Sequence, residues 1–264
     1  IIGDGVDQDC DGEDQIQDIS TWYGHSCAIN VEQELICWGR DAYGLVTNVP
    51  KAGPYQLISV GDNHNCAMDE VGEISCWGYD GSERLEPPEG EFVQMSLRGE
   101  SGCVLNEEGE VSCWGYNREG KNDAPSGTYT QIEQGANFSC ALQTDRSLRC
   151  WGRKNEGQIY PPLARYVDYA LGYSFGCALD YNGEIVCWGD NTYGQTEPPE
   201  GEYIHISAGY YHACAIDTSN QAVCWGDGGY GYSKIIPPEL DMSAIGLGSN
   251  HGCGIDTNGD LHCW

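Results

Sequence analysis

Positive charge is scarce in this chain. Lys and Arg together number 12, against 41 Asp and Glu residues, so the formal net charge at pH 7 is -29. Proteins that bind nucleic acid or anionic membranes rely on Lys and Arg to neutralise phosphate groups. We therefore expect no nucleic-acid partner and no attraction to an anionic membrane surface.

Long hydrophobic runs are also missing. No apolar stretch approaches the roughly 20 residues that a transmembrane helix needs, so we expect no membrane insertion. The chain opens IIGDGVDQDC, without the basic start and apolar core of a secretory signal peptide. We therefore interpret the sequence as a mature or trimmed chain.

Cysteine, by contrast, is abundant. The 264 residues include 15 cysteines, of which 14 form seven C-x9-C pairs, and each pair is followed directly by Trp. Successive pairs begin 37 or 39 residues apart. A fixed period of about 20 to 50 residues is typical of solenoids, propellers and repeat arrays. Seven copies of one unit therefore fill the chain from about residue 17 onward.

Each unit reads as three short β segments. The first usually ends in Gly, and the second and third carry the two cysteines of the pair. The two cysteines can face each other only across a loop with an odd number of residues. A three-residue loop fits if its last residue is left-handed, which favours Gly or Asn. Five units have such a residue, and two do not: Gly72, Gly109, Gly183, Asn220 and Gly259 against Gln33 and Arg146.

Short strands at regular spacing, separated by Gly-rich turns and Pro pairs, predict an all-β fold. Seven units favour a seven-bladed β-propeller with three to four short antiparallel strands per blade and one disulfide in each blade. A β-solenoid is the alternative, although its rungs are usually shorter. We place an acidic segment at residues 1–16 and the propeller at 17–264, with repeats near 17–53, 54–90, 91–127, 128–164, 165–201, 202–240 and 241–264.

The cysteine pairs allow three interpretations. A zinc site needs four convergent ligands at tighter spacing, and a redox centre favours a single C-x-x-C. A structural disulfide needs two cysteines opposite each other in a hairpin, which the odd loop permits. We therefore predict an oxidising compartment and seven disulfides, which leave Cys10 unpaired within the chain. The predicted disulfides are Cys27–Cys37, Cys66–Cys76, Cys103–Cys113, Cys140–Cys150, Cys177–Cys187, Cys214–Cys224 and Cys253–Cys263.

One repeat, ISAGYYHACAIDTSNQAVCWGDGGYGY, resembles the repeat of the regulator-of-chromosome-condensation family of propellers. The short repeat length is closest to bacterial, secreted members such as the propeller-type β-lactamase inhibitor protein. The resemblance implies a seven-bladed propeller whose first strand lies nearest the axis. Family functions differ too widely to transfer, and the chain lacks the basic surface that chromatin binding would need.

The N-terminal stretch DGVDQDCDGEDQIQD stands outside the repeat. It resembles calcium loops of the D-x-D-x-D-G type, which combine alternating carboxylates, a Gly at the bend and a late acidic ligand. We therefore predict calcium as a cofactor, although a solvated acidic tail is the alternative. The predicted ligands are Asp7, Asp9, Asp11, Glu13 and Asp18.

The breaks in the repeat suggest a binding face. The Gly that ends the first segment is replaced by Trp22 in unit one and by Arg98 in unit three. Histidines recur two positions before the leading cysteine in four units, a pattern typical of hydrogen-bonded core residues. Loops on one face of a rigid scaffold commonly carry recognition, and Tyr, Trp and Arg commonly anchor interfaces. The predicted binding residues are Trp22, Tyr23, Arg98, Tyr173, Tyr210 and Tyr211.

These features favour a non-enzymatic protein, secreted or on the cell surface, that binds an extracellular protein or glycan through one face. Inhibition of a secreted enzyme is one form of this function, by resemblance. The alternatives are an extracellular structural protein that assembles with copies of itself and, less favoured, a propeller lyase or hydrolase.

Overall fold

The computed structural model describes residues 16–51, 53–227 and 236–264. These residues form seven three-stranded antiparallel sheets, which follow one another along the chain. Each sheet is one repeat unit, and its strands are hydrogen-bonded in chain order. The first strands are β1 (Ile16–Trp22), β4 (Tyr55–Val60), β7 (Gln94–Arg98), β10 (Tyr129–Gln134), β13 (Tyr166–Leu171), β16 (Tyr203–Ala208) and β19 (Met242–Leu247).

The second strand of each sheet carries the leading cysteine and is buried along most of its length. The third strand carries the trailing cysteine and forms the outer edge. The second strands are β2 (His25–Asn30), β5 (His64–Asp69), β8 (Ser101–Leu105), β11 (Phe138–Gln143), β14 (Phe175–Asp180), β17 (His212–Asp217) and β20 (Gly252–Asp256). The third strands are β3 (Leu35–Gly39), β6 (Ile74–Gly78), β9 (Val111–Gly115), β12 (Leu148–Gly152), β15 (Ile185–Gly189), β18 (Ala222–Gly226) and β21 (Leu261–Cys263).

Helical structure in the described part of the chain is limited to two 3-10 turns, Ala42–Gly44 and Arg118–Gly120. Neither these turns nor any other described segment is a helix long and apolar enough to cross a membrane.

The seven sheets close into a ring. The first strands of successive sheets contact one another, and β1 contacts β19 of the last sheet. This arrangement confirms the predicted seven-bladed propeller, with three strands rather than four in each blade. The first strands surround the central channel.

One backbone hydrogen bond recurs between neighbouring blades. The N–H group at the start of a first strand donates to the carbonyl of the last hairpin-loop residue in the preceding blade. Tyr166 N donates to Arg146 O at 2.9 Å in this way. Ile16 N donates to Gly259 O at 3.2 Å. Blade one therefore joins blade seven by the same bond that joins interior blades.

The hairpins have the predicted register. Cys177 lies directly opposite Cys187 in the ladder, with their Cα atoms 4.0 Å apart. All seven predicted disulfides are present. The last loop residue is left-handed in every blade, including Gln33 (φ 63) and Arg146 (φ 70), which the sequence singled out as exceptions. The hairpins therefore have the same loop conformation and register even where the last loop residue is not Gly or Asn.

The Trp that follows each trailing cysteine packs between blades. Trp188 of blade five joins a core cluster with Phe138 and Leu142 of blade four. Its Nε1 atom donates to the carbonyl of Gln158 at 2.7 Å. The indole thereby contributes both apolar burial and a hydrogen bond to the blade interface.

Side chains on the first strands also link the blades across the channel wall. Here a side-chain oxygen accepts a hydrogen bond from a backbone N–H of the next blade. This bond satisfies N–H groups on a strand edge that has no neighbouring strand. The acceptor and donor pairs are Ser20 with Val60, Ser59 with Leu97, Ser96 with Gln134, and Glu133 with Leu171.

Candidate binding face

The first strands all run toward the same end of the channel, which we call the upper mouth; the opposite end, which carries the hairpin loops, is the lower face. At the upper mouth, the position that ends or directly follows the first strand is Gly in five of the seven blades. The residues at this position are Trp22, Gly61, Arg98, Gly135, Gly172, Gly209 and Gly248.

The Gly residues leave room for a ring on the second strand. A Cβ atom at Gly172 would lie 2.1 Å from the ring of Phe175, and one at Gly209 would lie 2.3 Å from the ring of His212. Blade three has no such ring, because its second strand begins with Ser101. The small Ser101 side chain leaves room for the long side chain of Arg98.

Arg98 closes the channel near the upper mouth. Its side chain is only 11% exposed. Nη2 donates to the carbonyls of Leu171 at 3.1 Å and Ala208 at 3.2 Å, and Nε donates to the carbonyl of Gln134 at 3.3 Å. One guanidinium from blade three thus bridges the ends of the first strands of blades four, five and six. Arg suits this role because its planar fork carries five donors.

A partly buried carboxylate lies below this guanidinium. Glu133 Oε1 is 3.6 Å from Arg98 Nη2. Burial raises the pKa of Glu133 to about 7, and the positive charge of Arg98 opposes that rise. Burial also lowers the pKa of Arg98, an effect that Glu133 opposes. The pair is therefore an electrostatic unit in the middle of the channel.

Aromatic rings cover this plug. The Arg98 guanidinium lies 4.0 Å from the ring centroid of Trp22, a cation–π contact. The rings of Trp22 and Tyr210 are stacked at 6.0 Å, and those of Tyr210 and Tyr173 at 4.2 Å. Tyr211 meets Tyr210 edge-on at 4.6 Å. Four residues from blades one, five and six, distant in sequence, thereby form one cluster.

A depression of about 310 Å³ lies beside this cluster at the upper mouth. Its wall includes Tyr23, which is 50% exposed, and Tyr116, which is 45% exposed. Arg118 and Asn137 complete the outer rim. Sequence reasoning missed Tyr116 and Arg118, because they lie in the loop after the third strand rather than at the end of the first.

Charged groups form the floor of the depression. Trp22 Nε1 donates to Asp62 Oδ1, and burial raises the pKa of that carboxyl. Lys121 Nζ donates to the carbonyls of Arg98, Gly135 and Ala136. Burial lowers the pKa of Lys121 to about 7. The Lys121 side chain therefore ties three backbone carbonyls together beneath the surface.

The recurring histidines are scaffold residues. His25 Nε2 lies 2.6 Å from Asn65 Oδ1, and His251 Nε2 lies 3.0 Å from Ser26 Oγ. His64 is fully buried, neither of its ring nitrogens has a hydrogen-bond partner among the described residues, and burial lowers its pKa to about 3. In residues 16–51, 53–227 and 236–264, no three His, Cys, Asp or Glu side chains are grouped as a metal site requires.

The structure brings all six predicted binding residues to the upper mouth, but it divides them by exposure. Trp22 is 1% exposed and Arg98 is held inside the channel. Both are positioned to support the face from below, whereas Tyr23, Tyr173, Tyr210 and Tyr211 reach its surface. The sequence carries one sign that Arg98 is buried: Ser101 stands where the other six blades have a ring residue, and so leaves room for the Arg98 side chain.

Of the predicted calcium ligands, only Asp18 lies within the described residues. Asp18 lies in β1, where its carboxylate accepts hydrogen bonds from the N–H groups of Ile19 and Ile58. Burial raises the pKa of Asp18. Asp7, Asp9, Asp11 and Glu13 lie outside the described residues, as does Cys10.

Seven three-stranded blades around a plugged channel define a disulfide-linked β-propeller with one aromatic mouth. Three of its blades, at residues 129–158, 167–195 and 203–231, match the family model of the regulator of chromosome condensation (RCC1) repeat. These three segments, in the middle of the propeller, are therefore similar to RCC1 repeats. No curated protein matches the sequence.

Solved structures share the fold. The entire ectodomain of the Physcomitrella patens receptor kinase CR4 superposes with a TM-score of 0.82 at 22% identity, covering 95% of this chain and 74% of that chain. The CRINKLY WD40 ectodomain of the Arabidopsis thaliana receptor kinase ACR4 gives 0.80 at 23% identity, covering 95% and 97%. Prp20p from Saccharomyces cerevisiae gives 0.79 at 17% identity, covering 91% and 82%. At these identities the likeness concerns the fold alone.

Proposed function

We propose that this chain is a non-enzymatic propeller, extracellular or on the cell surface, that binds a protein through its upper face. The observation that carries the proposal is the aromatic depression over a plugged channel. Exposed tyrosines surround a shallow concave site, and the plug beneath them is fixed by hydrogen bonds to three blades.

The composition of the face suits protein recognition. Tyr, Trp and Arg dominate the energetics of protein interfaces, because they bury large areas with few rotatable bonds. The depression of about 310 Å³ is large enough to receive one partner side chain. The propeller is joined by bonds between neighbouring blades, so the exposed rings are held in place before binding.

The compartment is supported by two independent observations. Seven disulfides persist only where the surroundings are oxidising. Two of the structures with this fold are receptor kinase ectodomains. Prp20p from Saccharomyces cerevisiae, which shares the fold, binds Gsp1p and histones, so a propeller of this fold can recognise proteins.

The test is capture of partners from the extracellular fraction of the source organism, with two matched double variants. Tyr23→Ala plus Tyr211→Ala alters the upper face. Tyr160→Ala plus Tyr181→Ala removes two exposed tyrosines, 64% and 63% exposed, that do not line the depression. A protein captured by the wild type and the second variant, but not by the first, supports the proposal. Equal capture by both variants would overturn it.

A glycan and a second copy of the chain are the other occupants that the sequence suggests for this face. If the partner is a glycan, the wild-type protein should bind to a glycan array, and the Tyr23→Ala plus Tyr211→Ala variant should not. Self-association would be seen as a concentration-dependent mass in light scattering. If the captured protein is an enzyme whose activity falls on binding, the function is inhibition.

Calcium binding by the N-terminal acidic segment is a separate proposal. It is supported by the D-x-D-x-D-G pattern, whose alternating carboxylates suit a hard cation.

A further inference from the structure

One blade junction on the lower face differs from the others. In five blades a large residue at the start of the first strand is at most 4% exposed: Tyr55, Tyr129, Tyr166, Tyr203 and Met242. The corresponding residues of blades one and three, Ile16 and Phe92, are only partly buried, and Phe92 alone lies outside its strand, since it precedes β7. β7 also lacks the register shift found near the start of the other six first strands.

The hydrogen bond between blades differs at the same place. Across the part of the chain that the structure describes, six junctions have the bond from the first strand to the preceding hairpin loop. Among the described residues, the junction of blades two and three lacks this bond, and Val93 N, one residue after the equivalent position, donates to Leu105 O of its own blade at 2.9 Å. Phe92 still packs against the cluster that contains Met68 of blade two, so the start of blade three contacts blade two through side chains without this backbone bond.

A missing hydroxyl accompanies this difference. The hydroxyl of Tyr203 donates to the carbonyl of Pro199, four residues earlier, at 3.1 Å. Tyr129 and Tyr166 make the same bond at 2.8 Å. The connection EPPEGE at 86–91 repeats the connection at 197–202 letter for letter, but Phe92 follows it where Tyr203 follows the other. Phe92 has no hydroxyl to donate to Pro88.

A cleft of about 510 Å³ lies at this junction. Leu57, Met68 and Phe92 form its apolar floor. Val71 and Val93 stand at its edge and are 63% and 48% exposed. The volume is within the range of about 300 to 1,000 Å³ found for binding pockets.

The rim of the cleft is acidic. Glu70, Glu91 and Glu107 line it and are exposed. None of the three forms an ion pair with a described residue, and the lining contains no Lys or Arg. Concave sites lined by one sign of charge concentrate the field and attract the opposite charge. An apolar floor with such a rim complements an apolar side chain between cationic ones.

We propose that this cleft binds a segment of a protein partner in which an apolar residue is flanked by Lys or Arg. The site is on the opposite end of the propeller from the aromatic face, so it does not depend on the function proposed for that face. Apolar burial would supply affinity, and the glutamates would supply orientation and association rate.

The test uses fluorescein-labelled hexapeptides and fluorescence polarisation on the intact, oxidised protein. The first peptide has two central leucines with Lys and Arg on both sides. In the second peptide, serines replace the leucines. In the third, glutamates replace the basic residues. Only the first peptide is expected to bind with saturation, and added salt should weaken its binding.

Variants locate the site. Glu70→Gln, Glu91→Gln and Glu107→Gln together should weaken binding about tenfold, since each rim charge contributes modestly. The control removes three exposed glutamates at the junction of blades five and six, namely Glu184→Gln, Glu200→Gln and Glu202→Gln. It changes the net charge equally and should bind as the wild type does.

The apolar floor needs its own pair of variants. Val71→Ser plus Val93→Ser should also weaken binding about tenfold, whereas Ile204→Ser, at the equivalent place in blade six, should not. Tyr23→Ala plus Tyr211→Ala should leave peptide binding unchanged. Equal loss in both triple-glutamate variants would show general attraction to an acidic protein and would overturn the proposal. Equal binding of the serine peptide would overturn it too.

Discussion

The guanidinium of Arg98 lies over the indole of Trp22, with its central carbon 4.0 Å from the ring centroid. These are the two residues at which the repeat loses its Gly, and they come from blades one and three. Their contact places a charge in the channel and an aromatic roof above it. The upper face is therefore built on the irregular blades and supported by the regular ones.

Loss of this guanidinium should destabilise the propeller. We expect Arg98→Met to lower the free energy of unfolding by about 3 kcal/mol, because Glu133 and three carbonyls would lose a buried partner. Urea unfolding without reductant measures the effect. The control is Arg118→Met, at a side chain that is 64% exposed, where a change within about 0.5 kcal/mol is expected. Equal effects would contradict a role for Arg98 as the plug.

The stability of the protein should depend on Glu133 between pH 4.5 and 7. Burial raises its pKa from 4.5 to about 7, so the folded state binds more protons than the unfolded state in this range. The free energy of unfolding should therefore fall as the pH rises through this range, by at most about 1.4 kcal/mol per pH unit. Glu133→Gln should remove this contribution.

The measurement is urea unfolding of the wild type and Glu133→Gln at several pH values. Glu184→Gln, at an exposed position, is the control and should follow the wild type. Parallel curves for the wild type and Glu133→Gln would show that the carboxyl titrates normally.

A single disulfide should matter measurably although the fold has seven. Cys177→Ala plus Cys187→Ala opens a bridge with a sequence separation of 10. Loss of the loop-closure constraint should cost about 3 kcal/mol in the free energy of unfolding. Ser112→Ala, on an exposed outer-strand position, is the control. A variant as stable as the wild type would show that the hydrogen bonds and packing of the hairpin hold it without the disulfide.

Calcium should bind the N-terminal acidic segment. Titration calorimetry of the wild type with calcium should give a binding isotherm that disappears in Asp9→Ala plus Asp11→Ala, because two of the alternating carboxylates are lost. Glu89→Ala plus Glu200→Ala changes the net charge equally and should retain the isotherm. Matching titrations for the wild type and the aspartate variant would refute the calcium site.

The irregular junction of the lower face can be tested by exchanging one oxygen. Phe92→Tyr should stabilise the protein by about 1 kcal/mol, since the new hydroxyl can donate to the Pro88 carbonyl. Tyr203→Phe should destabilise it by a similar amount, because its bond to Pro199 is lost. Changes of the same sign in thermal unfolding would show that this hydroxyl does not set the geometry of the junction.

Some of the candidate site could be predicted because repeats expose their own exceptions. Trp22 and Arg98 were visible as departures from Gly, and Tyr210 and Tyr211 as aromatic residues in a loop whose sequence varies between repeats. Their burial could not be predicted, since it depends on how far a side chain reaches across the channel. Tyr116 and the lower cleft escaped notice because neither breaks the cysteine and tryptophan pattern.

The architecture of this protein follows from the spacing of its repeats. Seven evenly spaced cysteine pairs of equal parity specify seven hairpins, and local loop geometry forces their register. The role of the exceptions depends on the closed ring, because the groups that Arg98 contacts lie up to 110 residues away from it in the sequence. Local spacing fixes a repeat, whereas the meeting of side chains across a closed ring depends on every blade between them.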